Sequence, residues 1–288
     1  MSRPLYTDCA IIFDAMARVK KPTLQHSALV PVPGYQASKA RWALQPRGQA
    51  VLFVHGFNGT SVGTWKGFDE ILPLEPRARG LDLLFYGYDT WLTDIRSSGR
   101  KLFKLMQTLH TDNGSLASPA LGTARTSFNG YKSILVCAHS LGGVVTRWAL
   151  LHACKRDEPW AENTASILFA PAHLAISDRM LVKLAARLSI PVDEMLERFE
   201  LDLLHEQTGV AQRQRISNLL APRAVVQAEI EKWVMVGGYD KDPGCIFVRG
   251  ATHQSICKPT HTFMLPIELV LSQLAALPGG NPLESQNS

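Results

Sequence analysis

Short apolar runs alternate along the chain with longer segments in which apolar residues recur every three or four positions. Such runs are typical of strands buried on both faces, and the longer segments are typical of the helices that cover them. The predicted strands are Ala50–His55, Leu81–Tyr86, Ile134–Ala138, Ala165–Ala170, Trp233–Val236 and Cys245–Val248. The predicted helices cover residues 92–110, 142–154 and 261–277. This alternation predicts an α/β fold with a mostly parallel, doubly wound sheet.

Residues 172–230 interrupt the alternation, because they show helical spacing and no strand pattern. We therefore divide the chain into a basic N-terminal segment at 1–49, which packs on or leads into the core, a core at 50–171 and 231–277, a helical cap at 172–230 and a tail at 278–288. Two interpretations of the cap stay open. Its helices either cover a substrate pocket as a lid or simply pack on the sheet.

Charge is unevenly distributed along the 288 residues, whose net charge is +5. Residues 1–49 contain seven Lys or Arg and two Asp, whereas the two signs balance in the remainder. This segment is expected either to contact an anionic membrane surface or to be an ordinary solvated segment. The sequence contains no recognisable nucleic-acid-binding module and no basic stripe interleaved with aromatic residues, so we expect no nucleic-acid partner.

The sequence also predicts where the protein resides. No window approaches the ~18 uninterrupted apolar residues of a transmembrane helix. The N-terminus lacks the basic start and apolar core of a signal peptide. The five cysteines are odd in number and widely spaced, as in a reducing compartment. We therefore expect a cytoplasmic protein and leave its oligomeric state open.

The most informative motif is Ala138-His-Ser-Leu-Gly142, which follows one predicted strand and opens a predicted helix. A serine on such a turn has strained backbone geometry, so the residues two before and two after it must be small. The turn exposes the Ser140 hydroxyl and presents the amide of Leu141 to an oxyanion. A similar string also occurs in ordinary strand–helix turns. A catalytic interpretation therefore requires a histidine, an acid and an oxyanion loop elsewhere in the chain.

Candidates for these groups follow other predicted strands, at the edge where doubly wound sheets bind ligands. His253 follows the last strand and is the candidate for the base that activates the serine. Asp240 follows Trp233–Val236 and is the candidate for the acid that orients this histidine. Asp242 competes with it, and Asp178 is a further alternative.

The oxyanion hole requires two amide donors. We expect one from Leu141 and the other from Phe57, on the loop that begins with His55 and Gly56. Four residues are candidates to line the substrate pocket: His55, Trp65, His139 and His173. On a tight turn His139 should point away from the serine hydroxyl, so packing or a structural hydrogen bond is an alternative role for it. The alternative for His173 is an ordinary position in a loop, with no role in the pocket.

Three strings together resemble the serine-esterase and lipase-like α/β-hydrolases: His55–Trp65, Ala138–Gly143 and His253–Pro259. The resemblance is to the branch related to serine-active-site lipase-domain proteins and GPI-inositol deacylases, whose members carry a similar His-x-x-Ile-Cys-Lys-Pro string around the catalytic histidine. In that branch an aspartate lies shortly before the histidine, which supports Asp240. The resemblance covers about residues 48–277 and implies an α/β-hydrolase fold with ester hydrolysis or acyl transfer on lipid-like substrates.

We therefore predict a serine carboxylesterase or lipase that uses no metal or other cofactor. Its expected substrate is an ester or lipid-like small molecule. In this hypothesis Ser140 attacks the ester carbonyl, His253 transfers the proton and Asp240 orients His253. One alternative is an acyltransferase that uses the same three residues. Another is a non-catalytic binding module with a hydrolase fold, although the intact serine–histidine pair argues against it.

Overall fold

The computed structural model describes residues 26–35, 37–90, 95–121, 125, 129–172, 214–215, 218–232 and 242–279. The predicted strand Trp233–Val236, most of the predicted cap and three candidate site residues lie outside this range: His173, Asp178 and Asp240. Within the described residues, no helix combines the length and apolar character needed to cross a membrane.

Eight strands form one sheet in the described part of the chain: β1 (Val30–Pro31), β2 (Lys39–Arg41), β3 (Gln49–Val54), β4 (Asp82–Tyr86), β5 (Ser133–His139), β6 (Thr164–Phe169), β7 (Ala224–Ile230) and β8 (Cys245–Thr252). Their order across the sheet is β1-β2-β4-β3-β5-β6-β7-β8. The pairs β1–β2 and β2–β4 are antiparallel, and the five remaining pairs are parallel. The prediction of a mostly parallel sheet is confirmed.

The described helices are α1 (Phe68–Ile71), α2 (Ile95–Thr111), α3 (Gly114–Leu121), α4 (Leu141–Lys155) and α5 (Leu265–Ala275). Short 3₁₀ turns occur at Gly63–Trp65, Leu72–Leu74, Pro76–Ala78 and Pro159–Asn163. Strands and helices therefore alternate through most of the described chain, as the sequence pattern predicts.

The sheet is covered on both faces, which explains why its central strands are apolar at most positions. In β3, Leu52 and Val54 belong to the core cluster that contains residues of α2 and α4. The intervening Val51 and Phe53 belong to the second cluster, with residues of α1 and α5. Successive side chains of a strand point to opposite faces, so a strand between two helical layers has no polar side.

Two boundaries of the core differ from the prediction. The expectation that residues 172–230 contain no strand is wrong, because β7 pairs with β6 and β8 inside the sheet. The sequence obscures this strand because Gln227 interrupts its apolar run, yet Gln227 is fully buried. The sheet also begins before residue 50, since β1 and β2 form its antiparallel edge.

Candidate active site

Ser140 lies in a strained turn between β5 and α4. Its backbone has φ 53° and ψ −123°, a conformation that non-glycine residues rarely adopt. The turn packs tightly against the end of β3. A Cβ atom on Gly142 would lie 2.5 Å from the carbonyl oxygens of both Val54 and His55, and one on Gly56 would lie 2.7 Å from the Cβ of Ser140. These close approaches explain the small residues around the serine.

A serine in this strained conformation, between a central parallel strand and the following helix, is the nucleophile elbow of one fold family. The strand order of the sheet agrees with this assignment. The chain has the α/β-hydrolase fold. In this fold the catalytic histidine and acid are expected on loops at the same edge of the sheet as the elbow.

His253 follows β8 directly and makes a buried hydrogen bond with a carboxylate. Its Nδ1 lies 2.9 Å from Oε2 of Glu231, and the two side chains are only 9% and 4% exposed. An ionised carboxylate only accepts hydrogen bonds, so the histidine carries its proton on Nδ1. In the neutral ring, Nε2 is then unprotonated. This is the tautomer that accepts a proton from a serine hydroxyl.

The register of β7 and β8 brings Glu231 and His253 together. Ile230 pairs with Thr252, so the next residue of each strand lies at the same end of the pair. An irregularity between Ala228 and Ile230 sets this register, because Ala228 pairs with Val248 and β8 contributes two extra residues before Thr252. The pairing depends on a bulge that the sequence pattern does not reveal.

Sequence reasoning assigned no role to Glu231. The signal that would have identified it is its position directly after β7, at the carboxyl end of a core strand. The candidate Asp240 lies outside the described residues. Its competitor Asp242 forms a buried ion pair, with its carboxylate oxygens 2.6 and 2.8 Å from Nη2 of Arg147 on α4.

The hydroxyl of Ser140 and the ring of His253 are not hydrogen-bonded to each other. The hydrogen bonds of His253 join its Nδ1 to Glu231 and its carbonyl oxygen to the ring of His139, which lies 4.7 Å from the His253 ring between centroids. In ligand-free enzymes such catalytic contacts are often long, and they shorten when the substrate binds.

Leu141 is the first residue of α4, so its N–H has no acceptor within the helix and lies at the positive end of the helix dipole. Phe57, the predicted second donor, lies in a compact turn that follows β3. In this turn the N–H of Gly59 donates to the carbonyl of Gly56 at 3.1 Å, and Asn58 donates to Oγ1 of Thr90 at 3.1 Å. Leu141 therefore begins the helix directly after the elbow, and Phe57 lies in a hydrogen-bonded turn after β3.

His55 stabilises this loop through both ring nitrogens. Its Nδ1–H donates to the carbonyl of Gly56 at 2.8 Å, and its Nε2 accepts from the N–H of Tyr88 at 3.3 Å. Tyr88 also donates its hydroxyl to the carbonyl of His55 and stacks on the ring. Burial lowers the pKa of His55, which keeps the ring neutral. Both ring nitrogens of His55 are therefore engaged in hydrogen bonds that stabilise the loop.

Two other predicted pocket residues also have positions in the interior. Trp65 is fully buried and contacts the rings of Phe53, Phe68 and Phe169, so it is a core residue beneath the site. His139 is 7% exposed, and its Nε2 lies 2.7 Å from the carbonyl oxygen of His253. The alternative of a structural hydrogen bond therefore describes His139 better than a place in the pocket.

The described residues contain no group of three His, Cys, Asp or Glu side chains arranged to hold a metal ion. Ser140, Glu231 and His253 each follow the carboxyl end of a parallel strand of the sheet.

No protein-family model matches the sequence, and no curated protein matches it. Among solved structures, the chain is similar to carboxyl esterase 2 from the fungus Tuber melanosporum, with 14% identity, coverage of 74% of this chain and 70% of that one, and a TM-score of 0.41. It is also similar to Est1E from Butyrivibrio proteoclasticus, with 15% identity, coverage of 87% and 99%, and a TM-score of 0.42. For the peroxisomal α/β-hydrolase Lpx1 from Saccharomyces cerevisiae, the identity is 10%, the coverage 87% and 88%, and the TM-score 0.45. These superpositions are loose, and the fold assignment depends on the strand order and the elbow.

Proposed function

We propose that the protein is a serine hydrolase that cleaves a carboxylic ester through an acyl-enzyme on Ser140. The main support is the buried hydrogen bond between Glu231 and His253, which directs the unprotonated nitrogen of the histidine away from the acid. The strained turn at Ser140 supports it further, because it lies at the same edge of the sheet. A strained serine and a histidine oriented by a carboxylate are the parts that acyl transfer needs.

In the proposed mechanism, Oγ of Ser140 attacks the ester carbonyl carbon while Nε2 of His253 takes its proton. The N–H groups of Leu141 and Phe57 bind the oxyanion of the tetrahedral intermediate. The intermediate collapses, the alcohol leaves with the proton from His253, and the acyl group stays on the serine. Water, deprotonated by His253, then attacks the acyl-enzyme and releases the carboxylic acid.

We further propose Glu231, in place of Asp240, as the acid of the triad. The bond to Nδ1 supports Glu231, whereas Asp240 was selected because it follows the predicted strand Trp233–Val236. We also propose that the chain belongs to the branch that it resembles, that of the GPI-inositol deacylases. This resemblance supports a lipid-like acyl substrate. Acyl transfer to an alcohol uses the same groups and the same acyl-enzyme. Hydrolysis is the simpler of the two reactions, because water takes the place of a second substrate.

Labelling with a fluorophosphonate probe tests the proposal, because the probe reacts only with an activated serine. We expect the wild-type protein to be labelled and Ser140→Ala to lose the label completely. Ser272→Ala is the matched control, since Ser272 lies on the exposed face of α5, and this variant should label normally. An unlabelled wild-type protein would favour a binding module over an enzyme.

A series of p-nitrophenyl esters of increasing acyl length then measures turnover and the preferred chain length. The same assay with added alcohol separates the two reactions. Release of free acid indicates hydrolysis, and formation of a new ester indicates acyl transfer.

A further inference from the structure

Two hydrogen bonds restrain His253, one at its side chain and one at its main chain. Nδ1 donates to Glu231 at 2.9 Å, and the carbonyl oxygen accepts from Nε2 of His139 at 2.7 Å. The two bonds act on different parts of the residue. The first sets the direction of the ring, whereas the second sets the position of the backbone from which the ring extends.

His139 is well suited to act as a permanent donor. A carbonyl oxygen only accepts hydrogen bonds, so the proton of the neutral ring lies on Nε2. Burial, and next the neighbouring His253, lower the pKa of His139 to about 3, so the ring stays neutral at physiological pH. The ring is also fixed in place, since its edge contacts Trp65 at 6.5 Å between centroids with an interplanar angle of 84°.

The position of His139 in the chain gives this bond its significance. His139 is the last residue of β5, and Ser140 is the next residue. The turn that carries His253 is partly exposed, at Thr252, Gln254 and Ser255, and its main-chain hydrogen bonds are local, with Ser255 and Ile256 donating to the carbonyl of Thr252. The bond from His139 joins this turn directly to the central strand that precedes the serine.

We propose that His139 is a positioning residue for catalysis: it holds the backbone of His253 to the end of β5, so that the base and the nucleophile keep a constant separation. The inference rests on the proposed function, because it assigns His139 a role in the reaction of Ser140 and His253. It goes beyond the triad and the oxyanion donors, since the hydrogen bond of His139 reaches the main chain of His253 and not its ring nitrogens. Displacement of a catalytic group by about 1 Å can reduce the rate by ~10²-fold.

The test compares His139→Gln with His139→Leu. The amide nitrogen of Gln reaches nearly the position of Nε2 and retains a donor, whereas Leu fills similar space without one. We expect Leu to lower kcat for a short p-nitrophenyl ester by ~10–100-fold with KM little changed, and the rate of fluorophosphonate labelling to fall in parallel. Gln should recover most of both rates.

His26→Leu is the matched control. His26 is also buried, and its Nε2 bonds to a backbone carbonyl, that of Leu81, at 2.8 Å, outside the proposed site. Removing it should lower the stability to denaturant about as much as His139→Leu does, but leave kcat unchanged. If His139→Leu proves unstable, His139→Asn replaces it, because Asn is polar but too short to reach the carbonyl.

Three results would overturn the inference. These are an unchanged kcat in His139→Leu or His139→Asn, an equal loss of kcat in His26→Leu, and a folded His139→Gln that is as slow as the Leu variant. Failure of the proposed function is distinguishable, because the wild-type protein would then resist the probe altogether. If the wild-type protein is labelled and His139→Leu is labelled at the same rate, only the role of His139 is rejected.

Discussion

At the scale of single residues, the chemistry depends on which nitrogen of His253 carries the proton. Glu231 holds the proton on Nδ1, and a backbone carbonyl does the same for Nδ1 of His55. The two histidines nevertheless differ in use. Nε2 of His55 accepts a backbone N–H from Tyr88, whereas Nε2 of His253 makes no hydrogen bond within the described structure. In the proposed mechanism, this nitrogen of His253 is the one that takes the proton of the serine.

Glu231→Gln should lower kcat by ~10²–10⁴-fold, because a neutral amide can donate to Nδ1 and stabilise the wrong tautomer. Asp240→Asn, which alters the residue that we selected from the sequence, should retain most of the activity. Steady-state kinetics on a short ester compare the two, with circular dichroism as a check on folding. A large loss in Asp240→Asn beside a mild effect of Glu231→Gln would restore the assignment made from the sequence.

At the scale of elements, the loop that carries His253 docks on the segment that follows the oxyanion loop. Sγ–H of Cys257 donates to the carbonyl of Thr64 at 3.4 Å. Gly67, with φ 98°, lies so close that an added Cβ would be 2.2 Å from the carbonyl oxygen of Pro259. Two of the strings that resemble the hydrolase family are therefore in contact, and this packing holds the loop of the proposed base, His253, against the segment that follows Phe57.

Gly67→Ala should destabilise the fold, because the substitution combines a left-handed φ with a collision against backbone. Gly34→Ala is its control, since Gly34 has φ 76° but open space around the added Cβ. We expect about 1–2 kcal/mol for Gly34→Ala from backbone strain alone, and ~1–3 kcal/mol more for Gly67→Ala from overpacking. Urea unfolding measures both. Equal losses would mean that the contact with Pro259 is easily relieved.

At the scale of the whole molecule, the two ends of the sheet have different tasks. The carboxyl ends of the parallel strands carry Ser140, Glu231 and His253. Near the amino ends, Asp82 of β4 is fully buried and bonds to Arg125, to the hydroxyl of Tyr131 and to the N–H of Ala43. This second network joins loops to the sheet. The proposed mechanism uses none of its groups.

Asp82→Asn should therefore affect stability and not catalysis. It leaves the nearly buried guanidinium of Arg125 without its charged partner, a change that typically costs about 3–5 kcal/mol. We expect a lower midpoint of urea unfolding and an unchanged kcat at a temperature where the variant is folded. A fall in kcat without loss of stability would show that the two ends of the sheet are coupled.

The sequence by itself determined the features that depend on adjacent residues. The elbow was predictable because its strain requires small residues at fixed distances from Ser140. The mostly parallel sheet was predictable because strands buried on both faces are nearly continuous apolar runs. The position of His253 directly after the last strand was also predictable, because the short apolar run before it marks that strand.

Only the tertiary structure decided which carboxylate meets His253 and what His139 does. Glu231 reaches the histidine because a bulge in β8 sets the register with β7, and Asp242 is engaged instead by Arg147. His139 reaches the carbonyl of His253 across 114 positions of sequence. Contacts of this kind depend on how distant strands are paired, and a strand that is apolar on both faces lacks the alternation of side chains that would specify its register.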